Sequence, residues 1–269
     1  MTFPYTFVDT HCHFDFSAFK QTQKHLDIAN DVGVSKIIIP SVGESNWFEV
    51  KSLATQFPAL YYSLGLHPYF LKQHSDDALD NLKQALSSRS IQCIAIGECG
   101  LDFMLEASLL TPDMIQKQYQ LFEAQVALAA DLHLPLILHA RKAHDQVLKI
   151  LRQYKPKKGG VIHAFSGSYQ QAMEYIKLGF YIGVGGVITY PRAKKTRETI
   201  LRIPLNSLVL ETDAPDMPLN GFQGEDNHPA KISLVFDGLY HLRGVAREES
   251  REMIAKQVWL NSHQLFSLD

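Results

Sequence analysis

Eight short apolar runs, each followed by a longer stretch of helical periodicity, limit most strongly what this chain can fold into. The runs are "TFVDTHCH" from Thr6, "KIIIPSV" from Lys36, "LYYSLGLHP" from Leu60 and "QCIAIGECG" from Gln92. They continue with "LPLILHAR" from Leu134, "GVIHAFSG" from Gly160, "FYIGVGG" from Phe180 and "SLVLETDAP" from Ser207. Strand–helix alternation of this kind means βαβ units and a parallel sheet. Eight units in about 250 residues is the size of a TIM barrel. An open doubly wound sheet competes, but no GxGxxG turn follows the first strand. No linker or low-complexity segment divides the chain, so residues 1–269 read as one α/β domain, a TIM-type (β/α)8 barrel. Two helix ends are also legible. Thr111 and Pro112 make an N-cap and first helical residue, and a final helix is expected from about Glu248 to Phe266.

With 46% hydrophobic and 20% charged residues, the chain has an ordinary globular composition. A net charge of −2 carries no global basic field, so contact with nucleic acid needs a local patch. Cys12, Cys93 and Cys99 form no C-x-x-C pair and are odd in number, which fits a reducing compartment. The opening "MTFPYTFVDT" has no basic region followed by a long apolar run, so no secretory leader is expected. No run approaches the roughly 20 apolar residues of a membrane span. The expectation is a soluble cytoplasmic protein with no membrane association and no obligate protein partner evident.

The unusual polar residues gather where these strands end. The first ends in His11 and His13, one residue apart and therefore on one face, with Cys12 turned away. The third ends in His67, the fourth in Glu98, the fifth in His139 and Arg141, the sixth in His163 and the eighth in Asp213. In a TIM barrel that end carries the active site. Alternation places Ile94, Ile96 and Glu98 in one column, Ile137 beneath His139, Val161 beneath His163, and Val209 and Glu211 beneath Asp213. Any single histidine here reads equally well as a satisfied core residue. Together, four imidazoles and two carboxylates suit a binuclear site for zinc or a similar divalent ion.

The motifs "DTHCHFD", "GLHPY", "GECGLDF", "LILHAR", "HAFSG" and "LETDAPDMPL", in this order across nearly the whole chain, resemble the TatD-type metal-dependent hydrolases, the TatD DNase family. "DMPLNGFQG" is similar to the YjjV-like subgroup. The resemblance implies a (β/α)8-type barrel with a divalent metal site, commonly of two ions. Residue by residue, it implies that His11, His13 and Asp213 bind one ion, His139 and His163 the other, and Glu98 bridges them. Cys99 departs from the aliphatic residue or threonine common in relatives, but faces away from Glu98. His228, before the proline of the 224–229 loop "GEDNHP", is a further departure and leaves substrate preference open.

Two such ions, of Zn, Mg or Mn, generate a bridging hydroxide that attacks phosphorus or a carbonyl carbon. Asp213 is the candidate general base. His67 is expected to hold a phosphate oxygen or to protonate a leaving group. Asp9 and Glu211, one layer below, can accept the outer N–H of ligand imidazoles, or are simply hydrogen-bonded interior carboxylates. Arg141 can fork onto a phosphate or carboxylate, with a structural ion pair as its competing use. His25, His74, His133, His241 and His263 read as surface or packing residues, and His144 as a possible neighbour of the site. "PRAKKTR", with Arg192, Lys194 and Lys195 and with Lys142 nearby, can neutralise backbone phosphates, and Tyr69, Phe70 and Tyr190 can stack bases. "KPKKGG" falls at the opposite end of the barrel. The expected function is a phosphodiesterase, a deoxyribonuclease acting on DNA or a small phosphodiester. The alternative is a metal-dependent hydrolase of an amide, an ester or lactone, or an aminoacyl bond.

Overall fold

The computed structural model describes residues 4–268. Three residues of the stretch read as leaderless, and Asp269 at the end of the 1–269 unit, lie outside the described residues. Eight parallel strands follow one another in sequence order around a nearly closed ring. They are β1 (Phe7–Asp9), β2 (Val34–Pro40), β3 (Leu60–Leu64), β4 (Cys93–Asp102), β5 (Leu136–Arg141), β6 (Gly160–Ile162), β7 (Phe180–Val184) and β8 (Leu208–Leu210). Hydrogen bonds beyond the strand ends close the seam between β8 and β1. Thr10 N donates to Leu210 O at 3.0 Å, Asp213 N to His11 O at 2.8 Å and His13 N to Ala214 O at 2.8 Å.

The surrounding helices are α1 (Thr22–Asp31), α2 (Trp47–Gln56), α3 (Ala78–Ser87), α4 (Pro112–Leu132), α5 (His144–Tyr154), α6 (Tyr169–Lys177) and α7 (Lys194–Arg202). After β8 come α8 (Ile232–Arg247) and α9 (Arg251–Phe266). No helix among the described residues is long and apolar enough to cross a membrane.

Burial on both faces explains why the strands read as apolar runs rather than as alternating patterns. Val8, Ile38, Ile94, Ile137, Val161 and Val209 form one cluster, inside the barrel, with Leu265, Phe266 and Leu268 from the chain's end plugging it. Their neighbours Phe7, Ile37, Ile39, Leu136, Leu138, Ile162, Leu208 and Leu210 belong to the larger cluster beneath the helices.

Four local expectations change. β1, β6 and β8 are three residues long, so His11, His13, His163 and Asp213 lie just past their strands. The column Ile94–Ile96–Glu98 is broken: Ile94 packs with the inner cluster and Ile96 with the outer one. The β4–β5 register shifts between Ile96 and Cys99, and it is this irregularity that turns Glu98 into the mouth. Asp213 sits at φ 56, so a left-handed turn, not alternation with Val209, carries it there. The last helix starts at Arg251 because Glu248, at φ 55, closes α8, and Ser250 then caps α9 by accepting from Met253 N. Thr111 caps α4 as expected, its side chain accepting from Met114 N.

Candidate active site

Glu98 lies at the centre of the mouth, and its two oxygens face two different sets of side chains. Oε2 is 3.1 Å from His11 Nε2 and 3.8 Å from His13 Nε2. Asp213 Oδ1 completes that set, 3.4 Å from His11 Nε2 and 3.7 Å from His13 Nε2. Oε1 is 3.1 Å from His139 Nδ1, 2.9 Å from His163 Nε2 and 2.9 Å from His67 Nε2. His139 Nδ1 and His163 Nε2 are 3.3 Å apart. Donor atoms placed tetrahedrally around one ion at about 2.0–2.2 Å stand roughly 3.3–3.6 Å from each other. The first set, at 3.1–3.8 Å, brackets that spacing and the second, at 2.9–3.3 Å, is slightly tighter, so small adjustments let both hold a divalent cation. His11 Nε2 and Glu98 Oε2 are buried with no hydrogen-bond partner, as donors awaiting a cation are.

Close backbone packing fixes Glu98. Its N–H donates to Ser41 O at 2.9 Å, and Ser63 Oγ donates to Gly97 O at 2.7 Å. A Cβ at Gly65 would stand 2.5 Å from the Gly97 carbonyl carbon, so only glycine lets the β3 extension approach this closely. The Asp213 turn is held from the 224–229 loop. Asn227 is 1% exposed; its N–H donates to Pro215 O, and its Nδ2 to Thr212 O at 2.8 Å and Met217 O at 3.2 Å. His228 anchors the same loop. Its Nδ1 accepts from Ala230 N, so its proton sits on Nε2, which donates to His25 Nδ1 at 3.0 Å.

Electrostatics divides the cluster. Burial raises Glu98, but the imidazoles of His163, His67 and His11 outweigh it and hold the carboxyl well below its ordinary range. Burial likewise opposes charge on His163, yet Glu98 prevails and lifts it to about 10. Burial holds His13 down to about 4 and His11 well below the ordinary value. Burial also raises Asp213 to about 7. His67 is lowered, chiefly by burial. Its Nδ1 accepts from Tyr69 N at 2.9 Å, which leaves the neutral ring's proton on Nε2, pointing into the cluster. Among the imidazoles facing Glu98, His67 is thus a donor toward the site, whereas His139, with its Nε2 proton on Asp102, would turn an Nδ1 lone pair to a cation bound there.

That lone pair depends on Asp102, which the sequence reading missed. His139 Nε2 donates to Asp102 Oδ2 at 2.8 Å and so keeps Nδ1 free for the cluster. Burial raises Asp102, but the bond to His139 outweighs it and keeps the carboxyl low. The signal was present: Asp102 follows Glu98 by four residues on β4. Asp102→Asn, whose neutral amide accepts more weakly, is expected to weaken the second of two metal-binding steps by about 10–100-fold. A calorimetric metal titration checks this, and two unshifted steps would leave Asp102 a packing residue.

Other expected residues lie elsewhere or act differently. Asp9 accepts no imidazole proton; it takes Thr212 N at 3.0 Å, Thr212 Oγ1 at 2.5 Å and His11 N at 3.3 Å. It ties the β1 end to the β8 end. Glu211 Oε1 accepts from Ala164 N at 2.5 Å, while Oε2 has no hydrogen-bond partner. Its ligand atoms still fall within 4.8 Å of those of His11 and His163. Gly183 makes room for it, since a Cβ there would stand 2.3 Å from Glu211 Oε2. Arg141 Nη1 is 3.7 Å from Asp102 Oδ2, the competing ion-pair geometry, with a half-exposed side chain at the edge of the mouth.

His74 is buried, and its Nε2 bonds to His67 O at 2.9 Å, so it holds up the His67 turn. His144 bonds through Nδ1 to Tyr175 Oη at 3.2 Å and does not join the cluster of bonded imidazoles around Glu98. A cavity of about 260 Å³ opens over the cluster, bordered by Tyr69 and Phe70 and by Phe16, an aromatic the sequence reading missed. Tyr190 is engaged instead, with Arg192 over its ring at 5.1 Å and its hydroxyl donating to Pro218 O. The basic run is therefore split: Arg192 folds onto Tyr190, Arg197 bonds to Ile188 O, and Lys194 and Lys195 begin α7.

An eight-stranded parallel barrel whose C-terminal mouth gathers five histidines and an aspartate around a central glutamate defines a metal-dependent hydrolase, and this chain belongs to the TatD family. Residues 8–267 match the family model described as TatD related DNase. The chain is 45% identical over 263 residues to the uncharacterized metal-dependent hydrolase YjjV of Escherichia coli (strain K12), spanning 97% of this chain and 98% of YjjV. The crystal structure of that TatD homologue matches with a TM-score of 0.91 over 98% of each chain. The chain is also 34% identical over 256 residues to a 3′-5′ ssDNA/RNA exonuclease TatD of Erwinia tasmaniensis, spanning 93% of this chain and 95% of that protein.

Proposed function

We propose that this metal-dependent hydrolase is a phosphodiesterase, a deoxyribonuclease acting on DNA ends or single strands with two divalent ions of Zn, Mg or Mn. The observation that carries the reading is the division of Glu98, one oxygen toward His11, His13 and Asp213 and the other toward His139 and His163. Each set would hold one ion, with Glu98 able to serve both. The name of the Erwinia relative, a single-strand exonuclease, supports the substrate class. The aromatic border of the cavity supports it too, since every base has a face that can stack on Tyr69, Phe70 or Phe16. Three buried free cysteines fit a cytoplasmic setting.

Bound divalent ions supply Lewis acidity, acidifying water and drawing charge from the attacked phosphorus. Asp213 takes a proton from the attacking water as the new O–P bond forms. When the P–O ester bond breaks, the same carboxyl returns that proton to the leaving alkoxide. His67 does not supply it, because protonating its Nδ1 would set that N–H against the N–H of Tyr69. Its Nε2–H donates instead to a non-bridging phosphate oxygen. Arg141, at the edge of the mouth, pairs with the next oxygen outward.

The test is one panel of single-stranded DNA, duplex DNA, RNA, phosphomonoesters, amides and lactones, each with Mg²⁺, Mn²⁺ and Zn²⁺. Metal-dependent release of nucleotides from single-stranded DNA is expected to dominate. Turnover confined to amides, esters or lactones would overturn the reading and keep only the metal-dependent hydrolase.

A further inference from the structure

The mouth continues past the metal cluster into a hollow to which the reaction above assigns no part. The cavity over the cluster shares His139, His163, Asp213 and Asp216 with a neighbouring one of about 330 Å³ that Arg141 borders. Ser166 lies on the wall of that second cavity and also on the wall of a third, of about 410 Å³, between Lys142 and Lys195. The first two share a wall and the third meets the second at Ser166, so the three lie in a row from the aromatic side chains, over the cluster, to two lysines.

The far end of the row is built for an anion. Neither Lys142 nor Lys195 enters an ion pair among the described residues. The carboxylate on the wall, Asp145, is turned onto α6, where it accepts from Gln171 Nε2 at 2.9 Å. Two ammonium groups against one engaged carboxylate leave the cavity positive. Lys195 stands in the first turn of α7, where the helix dipole disfavours a cation. Lys142 holds φ 51, a left-handed conformation that a lysine adopts at a cost. An anion held between Lys142 and Lys195 offsets the cost of a cation at the start of α7. The first turn of α5 borders the same cavity, and its N-cap, Ala143, supplies no side-chain acceptor, so backbone donors remain there too.

We propose that this cavity binds the phosphate adjacent to the one being cleaved, so that the preferred substrate is a nucleotide chain with at least two phosphates. The inference rests on the phosphodiesterase reading and adds to it a second, metal-independent phosphate subsite. It also narrows the basic run to Lys195, joined by Lys142 from the β5–α5 turn, with Arg192 and Lys194 outside the site.

The test compares thymidine dinucleotides carrying only the internal phosphodiester with those carrying a further phosphate at the 5′ or the 3′ end. The enzyme is expected to prefer one of the two-phosphate compounds in kcat/KM, and which end is preferred gives the direction of the strand along the row. In Lys142→Gln with Lys195→Gln that preference is expected to collapse by about 10–100-fold, the effect of losing charged hydrogen bonds. Lys157→Gln with Lys158→Gln, the same charge change at the opposite end of the barrel, is expected to keep the preference. A second readout is binding of thymidine 3′,5′-bisphosphate to EDTA-treated protein, which the Lys142/Lys195 variant should weaken while its fold, by circular dichroism, is kept. Hydrolysis with an unaltered preference in that variant overturns the subsite alone. No hydrolysis of any of these phosphodiesters overturns the phosphodiesterase reading itself.

Discussion

Glu98→Gln is expected to strip most of the bound divalent metal and to lower turnover by at least about 10²–10³-fold, the range for losing one preorganised electrostatic group. Glu98 pairs directly with both sets, with Oε2 3.1 Å from His11 Nε2 and Oε1 2.9 Å from His163 Nε2. Glutamine keeps the volume and the place held by Ser41 and Ser63, but halves the acceptor capacity. Its amide N–H₂ points a donor at one set of imidazole lone pairs and repels the cation there. The negative charge that draws His163 up to about 10 also disappears, so that ring loses its partner as well. Elemental analysis of folded, dialysed variant checks the first half of the expectation and steady-state rates the second. The companion change, His11→Ala with His13→Ala, touches only the Oε2 set and is expected to remove one ion per chain. Full metal content in Glu98→Gln would show that the glutamate does not join the two sets.

The barrel was legible because its strands are buried on both faces. Runs such as "KIIIPSV" and "LPLILHAR" have no solvated side to interrupt them, and histidines fall two places after Ile137 and Val161, which fill the interior. Glu98 was found for a reason that proved incomplete. Its alternation with Ile94 and Ile96 does not hold, since those two face opposite sides of the sheet, and a register shift between Ile96 and Cys99, invisible in residue types, delivers the carboxylate. Asp102 was hidden by the same shift, since its relation to His139 depends on which way β4 faces after the irregularity. Asn227 had no local signal, because its partners Thr212, Pro215 and Met217 are 10–15 residues back and meet it only when the loop folds over. "PRAKKTR" is a loop only in part, because α7 begins inside it and separates Arg192 from the lysines. Positions set by periodicity could be read, and those set by a turn or a returning loop could not.

Asp213→Asn is expected to keep much of the metal and to lose about 10²–10⁴-fold in turnover, the usual cost of an acid–base group. Asp213 borders both cavities that meet over the cluster, and its Oδ1 joins the His11 and His13 set at 3.4 and 3.7 Å. Asparagine preserves the shape and one oxygen for the cation, and Asn227 still holds the turn from behind. What it cannot do is accept a proton from water near neutral pH. Burial lifts the Asp213 carboxyl to about 7, so its basicity is well above that of an exposed aspartate, and a neighbouring cation draws it back down. Only the ionised form works as a base, so wild-type kcat falls as pH drops through the Asp213 titration. The variant lacks that group, and its residual rate should lose that acidic limb. The measurement is kcat across pH in metal-saturated enzyme, with metal content determined on the same samples. Near-normal turnover would move the base to another group. A loss that follows the metal content would make Asp213 a ligand and nothing more. A loss at full metal content, with the acidic limb gone, is the outcome that only a proton-accepting Asp213 produces.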